Sequence, residues 1–138
     1  MLITALLFPL MMMQPASAEL KISFSNLKEA KGQLYVAVYA TESDFLNTDR
    51  VYAQQIVPVK QSGDLEMTFA LPPGKYAISC FHDVNGNGKL DTNLVGIPSE
   101  PYGFSNNARP RFRPPYWSEA SFNLSAGTTR HPVRLDTW

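Results

Sequence analysis

Leu65-Glu66-Met67-Thr68-Phe69-Ala70-Leu71 runs into Pro72-Pro73-Gly74 and then into Tyr76-Ala77-Ile78-Ser79-Cys80. Apolar side chains at every second position, a turn built from proline and glycine, and a second alternating run describe two strands joined by a tight connection. The same period recurs on both sides. Leu20, Ile22 and Phe24 alternate with Lys21 and Ser23; Leu34, Val36, Val38 and Ala40 share one face, with Tyr35 and Tyr39 on the other. Ile56, Val57 and Val59 form an apolar stretch that Pro58 assigns to a sheet edge, because proline donates no ladder hydrogen bond. Phe122 with Leu124, and Val133 with Leu135, supply two short strands near the end. About seven short strands separated by turn signals predict an all-β protein, an antiparallel β-sandwich. A short helix fits only Thr41–Gln55, with Ser43 or Thr48 as its cap.

The chain has 138 residues, enough for one domain. Its 12 basic and 12 acidic residues cancel, so no overall field draws it to nucleic acid or to an anionic membrane. A hydrophobic content of 44% argues against disorder. One cysteine, Cys80, excludes an internal disulfide and any multi-cysteine zinc site, and its place in the run Tyr76–Phe81 makes it a buried, inert thiol.

Residues 1–18 carry no charged side chain, are apolar from Leu2 to Met13, and close on Ala16-Ser17-Ala18, the small-x-small pattern that signal peptidase accepts. The apolar run is too short to cross a hydrocarbon layer of about 30 Å as a helix. The expectation is a signal peptide over 1–18, a single domain over 19–138, and a periplasmic or secreted protein with no membrane anchor after cleavage.

From Asp83 to Ser118 the alternation stops. Loops of more than about 12–15 residues in compact domains are usually functional or disordered. Leu90, Leu94, Ile97, Tyr102, Phe104, Phe112 and Trp117 are too apolar for disorder, which predicts an ordered excursion against one end of the sandwich. It opens with Asp83-Val84-Asn85-Gly86-Asn87-Gly88-Lys89-Leu90-Asp91. Oxygen-bearing side chains at relative positions 1, 3, 5 and 9, with glycine at 6, reproduce the first nine residues of a calcium loop. A chain wrapping a cation presents alternate side chains inward, Gly88 supplies the left-handed turn, and Lys89 would contribute its carbonyl. Two features depart from the EF-hand: position 12 is Leu94, not glutamate, and a strand precedes the loop. Glu100, returned by the turn at Gly96-Ile97-Pro98, is the candidate remote carboxylate, ahead of Glu119 and Asp64. The expected metal set is Asp83, Asn85, Asn87, Lys89, Asp91 and Glu100, with calcium at Kd ~10⁻⁴–10⁻³ M. A plain turn needs no metal, because Asn-Gly repeats tolerate left-handed backbone unaided. Magnesium fits less well, preferring a rigid octahedron with few protein ligands.

Asp83-x-Asn85-x-Asn87-Gly88-x-x-Asp91, followed by Gly96-Ile97-Pro98-x-Glu100-Pro101-Tyr102-Gly103-Phe104-Ser105-Asn106-Asn107, resembles the signature of a family of small exported bacterial proteins of unknown function. The likeness extends to Leu71-Pro72-Pro73-Gly74-x-Tyr76-Ala77. It implies an exported sandwich of the transthyretin-like or immunoglobulin-like kind, in which 83–107 acts as one unit, and it supplies no catalytic residue.

No enzyme is expected. His82 continues the Ile78–Cys80 face and reads as a satisfied histidine at the sheet end, His131 is isolated, and no serine sits in a nucleophile elbow. Tyr102, Phe104, Tyr116 and Trp117 are a candidate binding surface, for envelope glycans or peptides, or else the core of the excursion itself. A hydrolase using Asp83, Asp91 or Glu100 is a third reading. Arg109, Arg111 and Arg113, alternating with Pro110 and Phe112, read as a solvated edge that balances the acidic loop. The partner expected is an envelope ligand or protein.

Overall fold

The computed structural model describes residues 17–138. Eight strands form two sheets: β1 (Ala18–Leu27), β2 (Gln33–Tyr39), β3 (Ala53–Pro58), β4 (Gly63–Leu71), β5 (Gly74–Asp83), β6 (Tyr102–Phe104), β7 (Phe122–Leu124) and β8 (Gly127–Arg134). One sheet has the order β4-β1-β8, the other β3-β2-β5-β6, with β7 also paired to β5. All pairs are antiparallel except β1 with β8, which runs parallel. The all-β sandwich expected from the alternation is the fold observed.

The inward faces are the ones the period selects. Leu20, Ile22, Phe24, Leu34, Val36, Val38, Ile78 and Val133 are all fully buried, and Met67, Phe69, Tyr76 and Cys80 join them in the core between the sheets. Each such aliphatic or aromatic side chain removed from water contributes about 1.5–3 kcal/mol. β3 lies at a sheet edge, as Pro58 required. That open side is laced by Gln55 Nε2, which donates to Thr68 O at 2.7 Å. The other side is closed by the Tyr102–Asp136 bridge.

Two expectations need correction. Thr41–Gln55 holds no α-helix. It contains one 3₁₀ turn, Thr48–Arg50, capped by Asn47, whose side chain accepts from Asp49 N; neither Ser43 nor Thr48 is the cap. β3 begins at Ala53 and leaves too few residues for more. The short helix lies instead at Trp117–Ala120 (α1), where Tyr116 and Glu119 form a reciprocal cap. Nor is 83–118 free of regular structure, since it includes β6. A three-residue strand with Gly103 at its centre shows no period, and its pairing is supplied by β5.

Expectations for residues 1–16 lie outside the described residues. Ala18, the last residue of the expected leader, is buried at the start of β1 opposite Leu71 and Gly127.

Candidate metal centre

β5 carries the chain out of the sandwich and delivers Asp83 at its last position, where the side chain is fully buried. A buried carboxylate needs donors, and the loop turns back to provide them. Asp83 Oδ1 accepts from Asn87 N at 3.2 Å and Oδ2 from Gly88 N at 2.8 Å. Gly88 has φ +81°, the left-handed backbone its position in the motif demanded. Asn85 Oδ1 accepts from Asn87 N, and Asn87 Oδ1 from Lys89 N, so the two asparagines build successive side-chain turns. Lys89 is exposed.

Glu100 reaches the loop as expected and is buried there. Its Oε2 accepts from Val84 N at 2.7 Å and its Oε1 from Asp91 N at 3.0 Å. One carboxylate thus clamps both ends of the loop through charge-assisted bonds. The Asp91 carboxylate faces the amides: Asn85 Nδ2 donates to Oδ2 and Asn87 Nδ2 to Oδ1, each at 2.6 Å. Those amide bonds, first from Asn87 and then Asn85, hold the Asp91 carboxyl below the usual carboxylate range, and the Lys89 ammonium adds to the effect. Asp83, Asn85, Asn87, Asp91 and Glu100 therefore form one hydrogen-bonded unit. Glu119 and Asp64 stand apart from it: Glu119 pairs with Arg113 at 2.8 Å, and Asp64 lies on β4 in the other sheet.

Among the described residues no three carboxylate, histidine or cysteine side chains converge as a ready metal group. The asparagine amides interpose between Asp83 and Asp91. The donor set nonetheless suits a hard cation, since every polar side chain in it carries oxygen and two neighbouring carboxylates lie at its edge.

His82 is buried, and its Nε2 lies 2.7 Å from Lys31 O; a carbonyl only accepts, so Nε2 carries the proton. Burial pushes the Cys80 thiol up to about 12, keeping it protonated beside Gly103 O.

The expected aromatic surface divides. Tyr102 and Phe104 pack edge to face on β6, with the Arg109 guanidinium 4.3 Å from the Tyr102 ring centre. Trp117 packs on Phe45, which packs on Tyr39. Tyr116 is exposed beneath Arg113. Two cavities, of about 440 and 550 Å³, lie against the outer face of the larger sheet and share Leu90 and Phe104 as lining. Neither is lined by Asp83, Asp91 or Glu100.

Sequence reading passed over the staple at Ser105-Asn106-Asn107. Buried Ser105 Oγ accepts from Ile78 N at 2.8 Å and donates to Ala120 O. Asn106 and Asn107 are both left-handed, at φ +60° and +49°. Asn106 Nδ2 reaches Glu119 O and Ser121 O, and Asn107 Oδ1 accepts from Arg134 N. The adjacent asparagines were the available signal, because asparagine tolerates this backbone better than other side chains. Gly103 has a separate reason: a Cβ there would lie 2.6 Å from Arg134 O, where β6 crosses the smaller sheet.

His131 belongs to this staple and is not isolated. It stacks on Phe122 at 4.2 Å, and its Nε2 accepts from Asn106 N at 3.0 Å. Burial lowers its pKa from the ordinary 6.5, and protonating Nε2 would also break the Asn106 bond. The unfolded chain then takes up a proton that the native ring resists, so stability is full above pH 6.5 and declines as pH falls below it. Melting temperatures across this range are expected to fall with pH, and His131→Gln, which keeps an acceptor, to flatten the profile. An unchanged profile in the variant would remove His131 as the cause.

No curated protein and no solved structure matches the chain. A family model described as "Uncharacterized protein conserved in bacteria (DUF2141)" matches residues 22–131, from the middle of β1 to His131, and so takes in the loop, the Glu100 clamp and the staple. The chain belongs to that bacterial family of unknown function.

Proposed function

We propose that the protein is an exported, non-enzymatic β-sandwich whose Asp83–Asp91 loop is ordered by calcium, and that it works as a binding or structural module of the cell envelope. One observation carries the reading: a fully buried aspartate at the end of a core strand, with asparagine, aspartate and glutamate oxygens gathered round the loop that follows. Asp83, Asn85, Asn87, Asp91 and Glu100, with the carbonyl of Lys89, would hold the ion. Bound calcium supplies positive charge between carboxylates that otherwise repel, and a rigid anchor for the loop. Asp83 and Glu100 hold the backbone in place, and the two asparagines space the ligands. The same carboxylates lie outside both cavities, which favours a structural role over hydrolysis.

Melting in millimolar calcium is compared with melting in chelator. A Kd of ~10⁻⁴–10⁻³ M corresponds to about 0.5–2 kcal/mol of stabilisation, or roughly 2–10 °C. Magnesium should give less, and Asp91→Asn, which also leaves one asparagine amide facing a donor and so lowers melting in chelator, should abolish the calcium-dependent shift. Identical melting with and without calcium would defeat the metal reading. Export rests on the apolar stretch ending at Ala16-Ser17-Ala18. Mass spectrometry of the protein from a periplasmic fraction should find Glu19 as its first residue, and an intact N-terminus there would refute cleavage.

A further inference from the structure

The larger cavity is rimmed by side chains that water does not favour. Val95 is 78% exposed, Phe112 85% and Trp138 55%, with Leu94 wholly exposed beside them. Phe112 packs edge-on to Trp138 at 5.6 Å. Phe112 also has φ +62°, a left-handed backbone that costs a bulky residue on the order of 1–3 kcal/mol. The strained residue is also among the most exposed large hydrophobic side chains.

The charged side chains that line the cavity are both basic. Arg109 and Arg113 line the cavity, and exposed Arg111 lies between them. Arg113 pairs with Glu119, and Arg109 donates to Tyr102 O and Asp136 O, bonds that leave its charge unneutralised; among the described residues neither Arg109 nor Arg111 has a carboxylate partner. The net charge of the chain is zero, so this positive field is local. Exposed aliphatic tips, two aromatic rings and the uncompensated positive charge of Arg109 and Arg111 in and beside the cavity rim are complementary to the interface of an anionic bilayer. There the rings and aliphatic tips enter the headgroup boundary and arginines meet phosphates.

We propose that the face formed by Leu94, Val95, Phe112 and Trp138, with Arg109 and Arg111, docks on anionic phospholipid membranes. Docking is peripheral and reversible. It does not depend on calcium, so it stands or falls separately from the metal reading.

The full chain is sedimented with phosphatidylcholine vesicles that contain or lack phosphatidylglycerol, in chelator, so that calcium cannot bridge lipid headgroups. Binding is expected only with phosphatidylglycerol, weakening as salt is raised. Tryptophan emission should shift to the blue, and Trp138→Phe should remove the shift. Arg111→Gln should weaken partitioning roughly fivefold. Phe112→Asn, which accepts the left-handed backbone, should weaken it while melting no lower than the parent. The proposal fails if the parent chain ignores phosphatidylglycerol vesicles at low salt, or if it binds both vesicle types equally. It also fails if Phe112→Asn binds as well as the parent. A dimer abolished by Phe112→Asn, without vesicle binding, would reassign the face to a second copy of the chain. Dodecanoate binding without vesicle binding would reassign the cavity to a soluble amphiphile. Either outcome overturns membrane docking.

Discussion

Glu100→Gln is expected to lower the unfolding free energy by about 2–4 kcal/mol, because it dismantles the clamp on the loop. The glutamate is buried and gives one oxygen to Val84 N and the other to Asp91 N. Glutamine has a single acceptor oxygen. Whichever N–H keeps it, the other faces an NH₂ group, donor against donor, at a side chain only 7% exposed. The melting temperature should drop by roughly 10 °C. Hydrogen exchange should also show amide protection lost at Val84 or Asp91, while the β1 and β2 amides keep theirs. A loss below about 0.5 kcal/mol, the level of an ordinary surface substitution, would mean that the clamp does not hold the loop.

Gly32→Ala should be costlier still, at about 4 kcal/mol. Gly32 has φ +67°, and a Cβ there would lie 2.0 Å from Asp83 O and 2.9 Å from Val84 Cα. Both obstacles are backbone, so no side chain can rotate away. Strain in the left-handed region and the shift forced on the end of β5 add together. Because Asp83 is the group displaced, any calcium-dependent stabilisation should shrink as well. Urea unfolding measures the first effect and melting with and without calcium the second. A variant as stable as the parent would show that the Lys31-Gly32 turn can move freely past β5.

These two residues show how unevenly the sequence speaks. Glu100 could be nominated because the Gly96-Ile97-Pro98 turn returns the chain toward the loop, and the structure brings it there. What the sequence did not disclose is that both its oxygens are taken up by backbone N–H groups. Gly32 offered no sign, since its constraint comes from Asp83 at the end of a strand, 51 residues away. The same holds for Gly103, whose lack of a side chain makes room for Arg134 O, and for His131, whose partner Asn106 is 25 residues distant. Thr41–Gln55 forms no helix despite its capping residues, because such residues are common in loops and β3 claims the residues a helix would need. α1 escaped notice because one helical turn is too short to show a period.

Period-2 alternation alone determined the two-layer β architecture and which face of β1, β2, β4 and β5 is buried. Side-chain direction follows from backbone geometry one residue at a time, and burying one face needs no knowledge of the partner. The spacing of Asp83, Asn85, Asn87, Gly88 and Asp91 was local for the same reason, since a tight loop is closed by its own neighbours. The parallel β1–β8 pair, the Ser105–Asn107 staple, the Glu100 clamp and the exposed rim at Val95 and Phe112 emerge with the folded chain. Each depends on residues far apart in the chain meeting in space, and such meetings are selected by the packing of the whole core.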